Sequence, residues 1–171
     1  MQNGWVMRLP WQIIEDVSDA ENVPAVLLAA IVQTESSNNR WAARFEPHYK
    51  YLYKTKENAQ ANGITEATET VFQMTSFGLC QLMGAVAREL GLKGPIFQLL
   101  DEQVNLTYAA KLIKRLAGRF KERDDIISAY NAGTPVKTLN GLYKNQTYVD
   151  KVNQYLSAIE LARKEQHGKG N

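Results

Sequence analysis

Three short stretches bring together residue types suited to acid-assisted cleavage of a glycoside-like bond. The first is TES at 34–36, where Glu35 closes the apolar run PAVLLAAIV. The second is SFGLCQLM at 76–83, in which Gly78 and the carboxamide of Gln81 sit among apolar side chains. The third is SAYNAG at 128–133, which sets a phenol, Tyr130, and a carboxamide, Asn131, ahead of a glycine stop. Breaking such a bond requires a proton for the leaving oxygen. A carboxyl group must then stay protonated near neutral pH, and apolar surroundings favour that neutral form. Glu35, following LLAAIVQT, is the acid best placed for such an environment. A glutamate at a helix end is by itself an ordinary surface residue, so the ordered combination carries the inference.

Other candidates lie in residues 37–75, which have no sustained periodicity. The segment RFEPHYKY groups Glu46 with aromatic and imidazole side chains, and Tyr49, Tyr51 or Tyr53 could stack on sugar rings. The competing reading is a folded loop whose aromatics fill a minor core while Glu46 pairs with Arg44 or Lys50. Glu57, Glu66 and Glu69 are further possible acids. His48 and His167 are the two histidines and no HExxH pattern accompanies them, so no metal site is expected. No glycine-rich phosphate loop is present, and no cofactor is expected. Cys80 is the single cysteine, which excludes an internal disulfide and a multi-cysteine zinc site. It is expected to be a small buried hydrophobe.

In order along the chain, these stretches resemble the transglycosylase SLT family, the goose-type branch of the lysozyme superfamily. That family's pattern runs Glu-Ser at the end of a core helix, Ser-x-Gly-Leu-Met-Gln, Ala-Tyr-Asn-Ala-Gly, and a tyrosine in a late helix. The late tyrosine here is Tyr148 in QTYVDKV, and the resemblance spans about residues 23–156. It implies an α+β, predominantly helical, lysozyme-like fold and action on the glycan strands of bacterial peptidoglycan. The bond cut would be the β-1,4 link between N-acetylmuramic acid and N-acetylglucosamine, leaving 1,6-anhydro ends. Glu35 would be the catalytic acid, supported by Ser36, Tyr130 and Tyr148. Ser76, Gly78, Gln81, Met83 and Asn131 would meet the substrate; Glu46 and Tyr49 of the irregular lobe are added to them from the residues of RFEPHYKY and not from the family pattern.

Two departures from the pattern matter. Cys80 stands where the family usually has methionine, and the span between Glu35 and Ser76 is long. Extra material there could supply a second carboxylate and turn the enzyme into a hydrolytic muramidase. A non-catalytic wall-binding or scaffold protein of the same fold is a further alternative.

The elements that must position these residues follow from pattern and size. A chain of 171 residues suits one domain, with a core over about residues 10–163. Net charge is +2, without the basic stripe of a nucleic-acid binder. The N-terminus, MQNGWVMRLPWQIIEDVSDA, does not read as a secretory signal. The apolar residues 23–32 are too few to span a bilayer. The expectation is a monomer made in the cytoplasm and delivered to the wall through a pore, or by a phage or secretion assembly.

Helices are expected over residues 10–20 and, capped by Asn22, from Pro24 to Glu35 or Ser36. Ser76 is expected to cap a helix over 78–90 closed by Gly91. The longest helix is expected over 101–119 and a short one over 124–130, with Asp124 and Asp125 as capping acids. A last helix should start near Thr147 and fray from Glu165.

Overall fold

In the computed structural model, which describes residues 4–168, the chain forms two compact units. One comprises the chain up to Thr34 and again from Ala110, and the other is Glu35–Ala109. The described residues are mostly helical, with one three-stranded antiparallel sheet. Among them no helix is long and apolar enough to cross a membrane.

The discontinuous unit is helical. Helix α1 (Trp11–Glu21) matches its expected position. Asn22 does not cap the next helix. It adopts φ 56° and closes α1 instead, its N–H reaching the carbonyls of Asp19 and Ser18. Asparagine tolerates this left-handed conformation better than most residues.

Helix α2 (Ala25–Ser36) is apolar on all sides, and Leu27 through Val32 are buried, as such a helix requires. Two further helices lie wholly within this unit: α7 (Arg123–Ala132) and α8 (Gln146–Gly168). Their core contains Ile14, Leu28, Ile31, Ile113, Ile127, Val149, Val152 and Ile159. Helix α8 continues through the segment expected to fray, and residues 169–171 lie outside the described residues.

The continuous unit holds the sheet. Strands β1 (Ala43–Phe45), β2 (Thr75–Phe77) and β3 (Leu82–Met83) pair in that order, with Arg44 opposite Ser76 and Ser76 opposite Met83. Between β1 and β2 the polar stretch forms two helices, α3 (Thr55–Ala61) and α4 (Glu66–Gln73). The expected helix over 78–90 is shorter: a turn and β3 come first, and α5 spans Gly84–Glu89. Ser76 is thus a strand residue. The apolar residues 79 and 82 fill the core from a hairpin, so helical spacing there was coincidental. Helix α6 (Glu102–Ala117) begins in this unit and ends in the other.

A buried polar network orders the span 37–75. Arg88 donates to both oxygens of Glu69 at 2.8 and 3.0 Å, and also to the carbonyls of Leu92 and Gly94. Gln73 donates to Glu69 at 2.9 Å, donates to the Tyr53 carbonyl at 2.8 Å and accepts from the Tyr53 N–H at 2.7 Å. The aromatic segment before α3 is therefore tied through its backbone to a charge pair inside the unit. Such a pair is tolerable because every member finds partners.

Candidate active site

Glu35 is the penultimate residue of α2 and is half-buried. The helix stops abruptly after it: Ser37 and Asn38 take φ 53° and 68° in succession. Left-handed non-glycine residues cost free energy and gather where function needs a particular chain path. Ser36 Oγ accepts the Asn39 N–H at 3.1 Å, and Asn39 Oδ1 accepts the Trp41 N–H at 3.0 Å. Small polar side chains thus satisfy the backbone as it leaves the helix. On the preceding turn, Thr34 Oγ1 donates back to the Ala30 carbonyl at 2.8 Å.

The β2–β3 turn carries the second motif. Gly78 has φ 74°, and a Cβ there would lie 2.4 Å from both Asn105 Nδ2 and the Leu99 oxygen, so only glycine fits. Asn105, completely buried on α6, donates to the carbonyls of Phe77 and Leu99 and accepts the Cys80 N–H, each at 2.8 Å. Gln81, at φ 45°, turns its side chain back onto the sheet. Its amide donates to the carbonyls of Ala42 at 3.1 Å and Gly78 at 3.0 Å. Its Oε1 accepts from Ser76 Oγ at 3.0 Å. Met83, opposite Ser76, is half-buried. Cys80 is completely buried, as expected.

Glu46 forms an ion pair with Arg44 at 2.5 Å, the pairing weighed above against an acid role. Tyr49 is half-buried and stands edge-on to the exposed Tyr51, with ring centroids 5.8 Å apart. The other lobe acids divide. Glu69 is consumed by Arg88, Glu66 accepts a hydrogen bond from Thr55 at 2.8 Å, and Glu57 is exposed in the first turn of α3.

In the helical unit, Tyr130 and Asn131 occupy the last turn of α7, which Gly133 closes at φ 76°. Tyr148 is half-buried in the first turn of α8. Asn145 joins these two helix ends. Its Oδ1 accepts from Ser128 Oγ at 2.7 Å, while its amide donates to the Ser128 carbonyl and to Asn131 Oδ1, each at 3.0 Å.

Asp124 and Asp125 do not cap α7 through its backbone. Asp124 accepts from Asn153 at 3.0 Å, and Asp125 accepts from the Tyr143 hydroxyl at 2.5 Å beside Lys137 at 3.2 Å. The Tyr143 hydrogen bond holds the Asp125 carboxyl below its usual range, reinforced by Lys137 against a smaller effect of burial.

The structure thus places Glu35, Ser36, Glu46, Tyr49, Ser76, Gly78, Gln81 and Met83 in one unit, and Tyr130, Asn131 and Tyr148 in the other. Among the described residues, no three His, Cys, Asp or Glu side chains gather in a way that could hold a metal ion. Asn105 and Asn145, which anchor two of the three motifs, were not singled out from sequence. An asparagine on the otherwise apolar stripe of α6 is the signal that would have found Asn105.

A family model described as Transglycosylase SLT domain matches residues 12–148, most of the chain. The chain belongs to this family. Its mostly helical α+β architecture is accordingly lysozyme-like, and the family, as a family, is one of peptidoglycan-cleaving lytic transglycosylases. No curated protein and no solved structure matches the chain. All three sequence motifs that suggested the SLT family fall inside the matched span.

Proposed function

We propose that this SLT-family chain works as one catalytic domain that cuts the β-1,4 bond between N-acetylmuramic acid and N-acetylglucosamine, leaving 1,6-anhydromuramic ends. Glu35 is the single acid and base. Its carboxyl group gives a proton to the glycosidic oxygen as the bond to the muramic anomeric carbon breaks. Positive charge at that carbon is stabilised by the sugar's own acetamido oxygen. The resulting Glu35 carboxylate then takes the proton from the C6 hydroxyl, and O6 bonds to the anomeric carbon. No water is consumed, and the acid is regenerated. Ser36, Tyr130 and Tyr148 support the acid, and Asn131 meets the sugar together with residues of the β2–β3 turn.

The observation that carries the anhydro product is the state of the other lobe acids. Inverting hydrolysis needs a second carboxylate to activate water across the cleft. Glu69 is buried against Arg88, Glu46 pairs with Arg44 and Glu66 accepts from Thr55, so that of the four lobe acids Glu57, exposed in the first turn of α3, is the one with no such contact among the described residues.

Mass spectrometry of fragments released from purified, unreduced peptidoglycan tests this reading. Muramic ends lighter by one water than free reducing ends are expected. Reducing N-acetylmuramic ends would make the enzyme a muramidase, with Glu46 and the exposed Glu57 the first acids to substitute. Glycan binding without any cleavage would leave a wall-binding protein.

A further inference from the structure

The helical unit contains a cavity of about 500 Å³ that none of the residues assigned above to glycan cleavage lines. Val26 and Leu27 of α2, Ile113 of α6, Ile126 of α7 and Leu156 of α8 form its wall. That size falls within the range of small-molecule sites, which are mostly apolar with a few polar groups that fix orientation.

The charges at its mouth are not balanced. Lys114 is paired with Glu21 at 3.6 Å. Lys121, on the connection from α6, and Arg123, the first residue of α7, are exposed and have no ion-pair partner among the described residues. Glu160 is the one acid that also lines the cavity, and it lies a helical turn beyond Leu156 on α8. Two cations at the start of α7 against one carboxylate on α8 leave a positive edge beside an apolar interior. A neutral hydrocarbon would make no use of that edge, and a simple anion would make no use of the interior.

We propose that this cavity binds an anionic amphiphile, a molecule with an aliphatic body and one carboxylate or phosphate group. The body lies against the aliphatic wall. The headgroup sits at Lys121 and Arg123, away from Glu160. The inference does not depend on the wall-cleaving reading, because none of these residues serves that chemistry.

Isothermal titration with decanoate, kept below its micelle concentration, tests the proposal. One saturable site is expected. Lys121→Gln combined with Arg123→Gln should weaken decanoate at least tenfold while leaving 1-decanol binding unchanged. Ala117→Trp, at the exposed end of α6, should fill the cavity and abolish both, with an unaltered melting temperature and undiminished wall cleavage as controls for folding. Absence of saturable binding, or binding that survives both changes, would overturn the proposal. So would binding only to vesicles containing phosphatidylglycerol, which would place the cations on a membrane surface. Self-association lost in Ala117→Trp without decanoate binding would overturn it in favour of a second copy of the chain.

Discussion

The ammonium of Lys151 donates to the carbonyl oxygen of Thr34 at 3.0 Å, joining α8 to the peptide group that leads into Glu35. The two residues are 117 positions apart in sequence. A cation at a helix C-terminus is favourable and binds a carbonyl that the helix itself leaves unsatisfied. Here that carbonyl belongs to the residue immediately before Glu35.

Replacing Lys151 with methionine should therefore affect turnover more than stability. Loss of one such bond costs about 1 kcal/mol of stability. Turnover on purified peptidoglycan is expected to fall about tenfold, the kinetic equivalent of about 1.4 kcal/mol. Lys151→Arg, which keeps the cation, should restore most of it. Equal rates in wild type and Lys151→Met would show that this bond does not position the acid.

The Gly78–Asn105 contact makes a stability prediction. Gly78→Ala adds a left-handed backbone penalty to a steric clash, together about 3 kcal/mol. Asn105→Ala strands two carbonyls and one N–H, at about 1–3 kcal/mol for each group that water cannot reach. Urea denaturation should show both losses. Because the two residues share one contact, the double variant should lose less than the sum of the single changes.

Much of the helical unit was legible because its burial is apolar. The residues of α2 are hydrophobic on every face, and Val149, Val152, Leu156 and Ile159 mark α8 at helical spacing. The same pattern misled over 78–90, where Leu79 and Leu82 are buried from a hairpin that Gly78 and Gln81 bend through positive φ. Helix α4 was illegible for the opposite reason. Its two buried positions, Glu69 and Gln73, are polar, so no hydrophobic period announces it. Glu35, Tyr130 and Asn131 could be proposed from sequence because the motif order is local in the chain. Asn105, Asn145 and Lys151 could not, since each acts on a segment distant along the chain.

The Arg88–Glu69 pair should be asymmetric to mutation. Removing Arg88 alone, as Arg88→Met, leaves a buried carboxylate and should cost about 3–5 kcal/mol. Arg88→Met combined with Glu69→Leu should recover most of that loss, because neither charge then remains to be solvated. Denaturation midpoints of the two single variants and the double variant would reveal this. A double variant as unstable as the sum of its parts would contradict it.

The Asp125–Tyr143 hydrogen bond predicts a dependence on acid. Folding lowers the Asp125 pKa from 3.8, so its contribution is complete above that value and is lost as pH falls through the lower folded value. Burial, followed by the bond to Asp125, raises Tyr143, and the bond to Asp125 raises Lys137 as well. Their contributions are complete at neutral pH and fade only as alkali passes their ordinary ranges. Asp125→Asn should make stability less sensitive to pH on the acid side without altering the neutral-pH rate of wall cleavage. Parallel acid titrations of wild type and variant would contradict the assignment.

The central claim is that Glu35 both gives and takes the proton. Its most direct test is the initial rate of muropeptide release from purified peptidoglycan by wild type and Glu35→Gln, with circular dichroism to confirm that both are folded. Glutamine keeps the shape but cannot transfer the proton, and general acid–base groups typically contribute about 10²–10⁴-fold. A folded Glu35→Gln whose rate falls by at least about a hundredfold is the result expected on that basis. A folded variant that releases muropeptides at the wild-type rate would contradict the account and require another acid in its place.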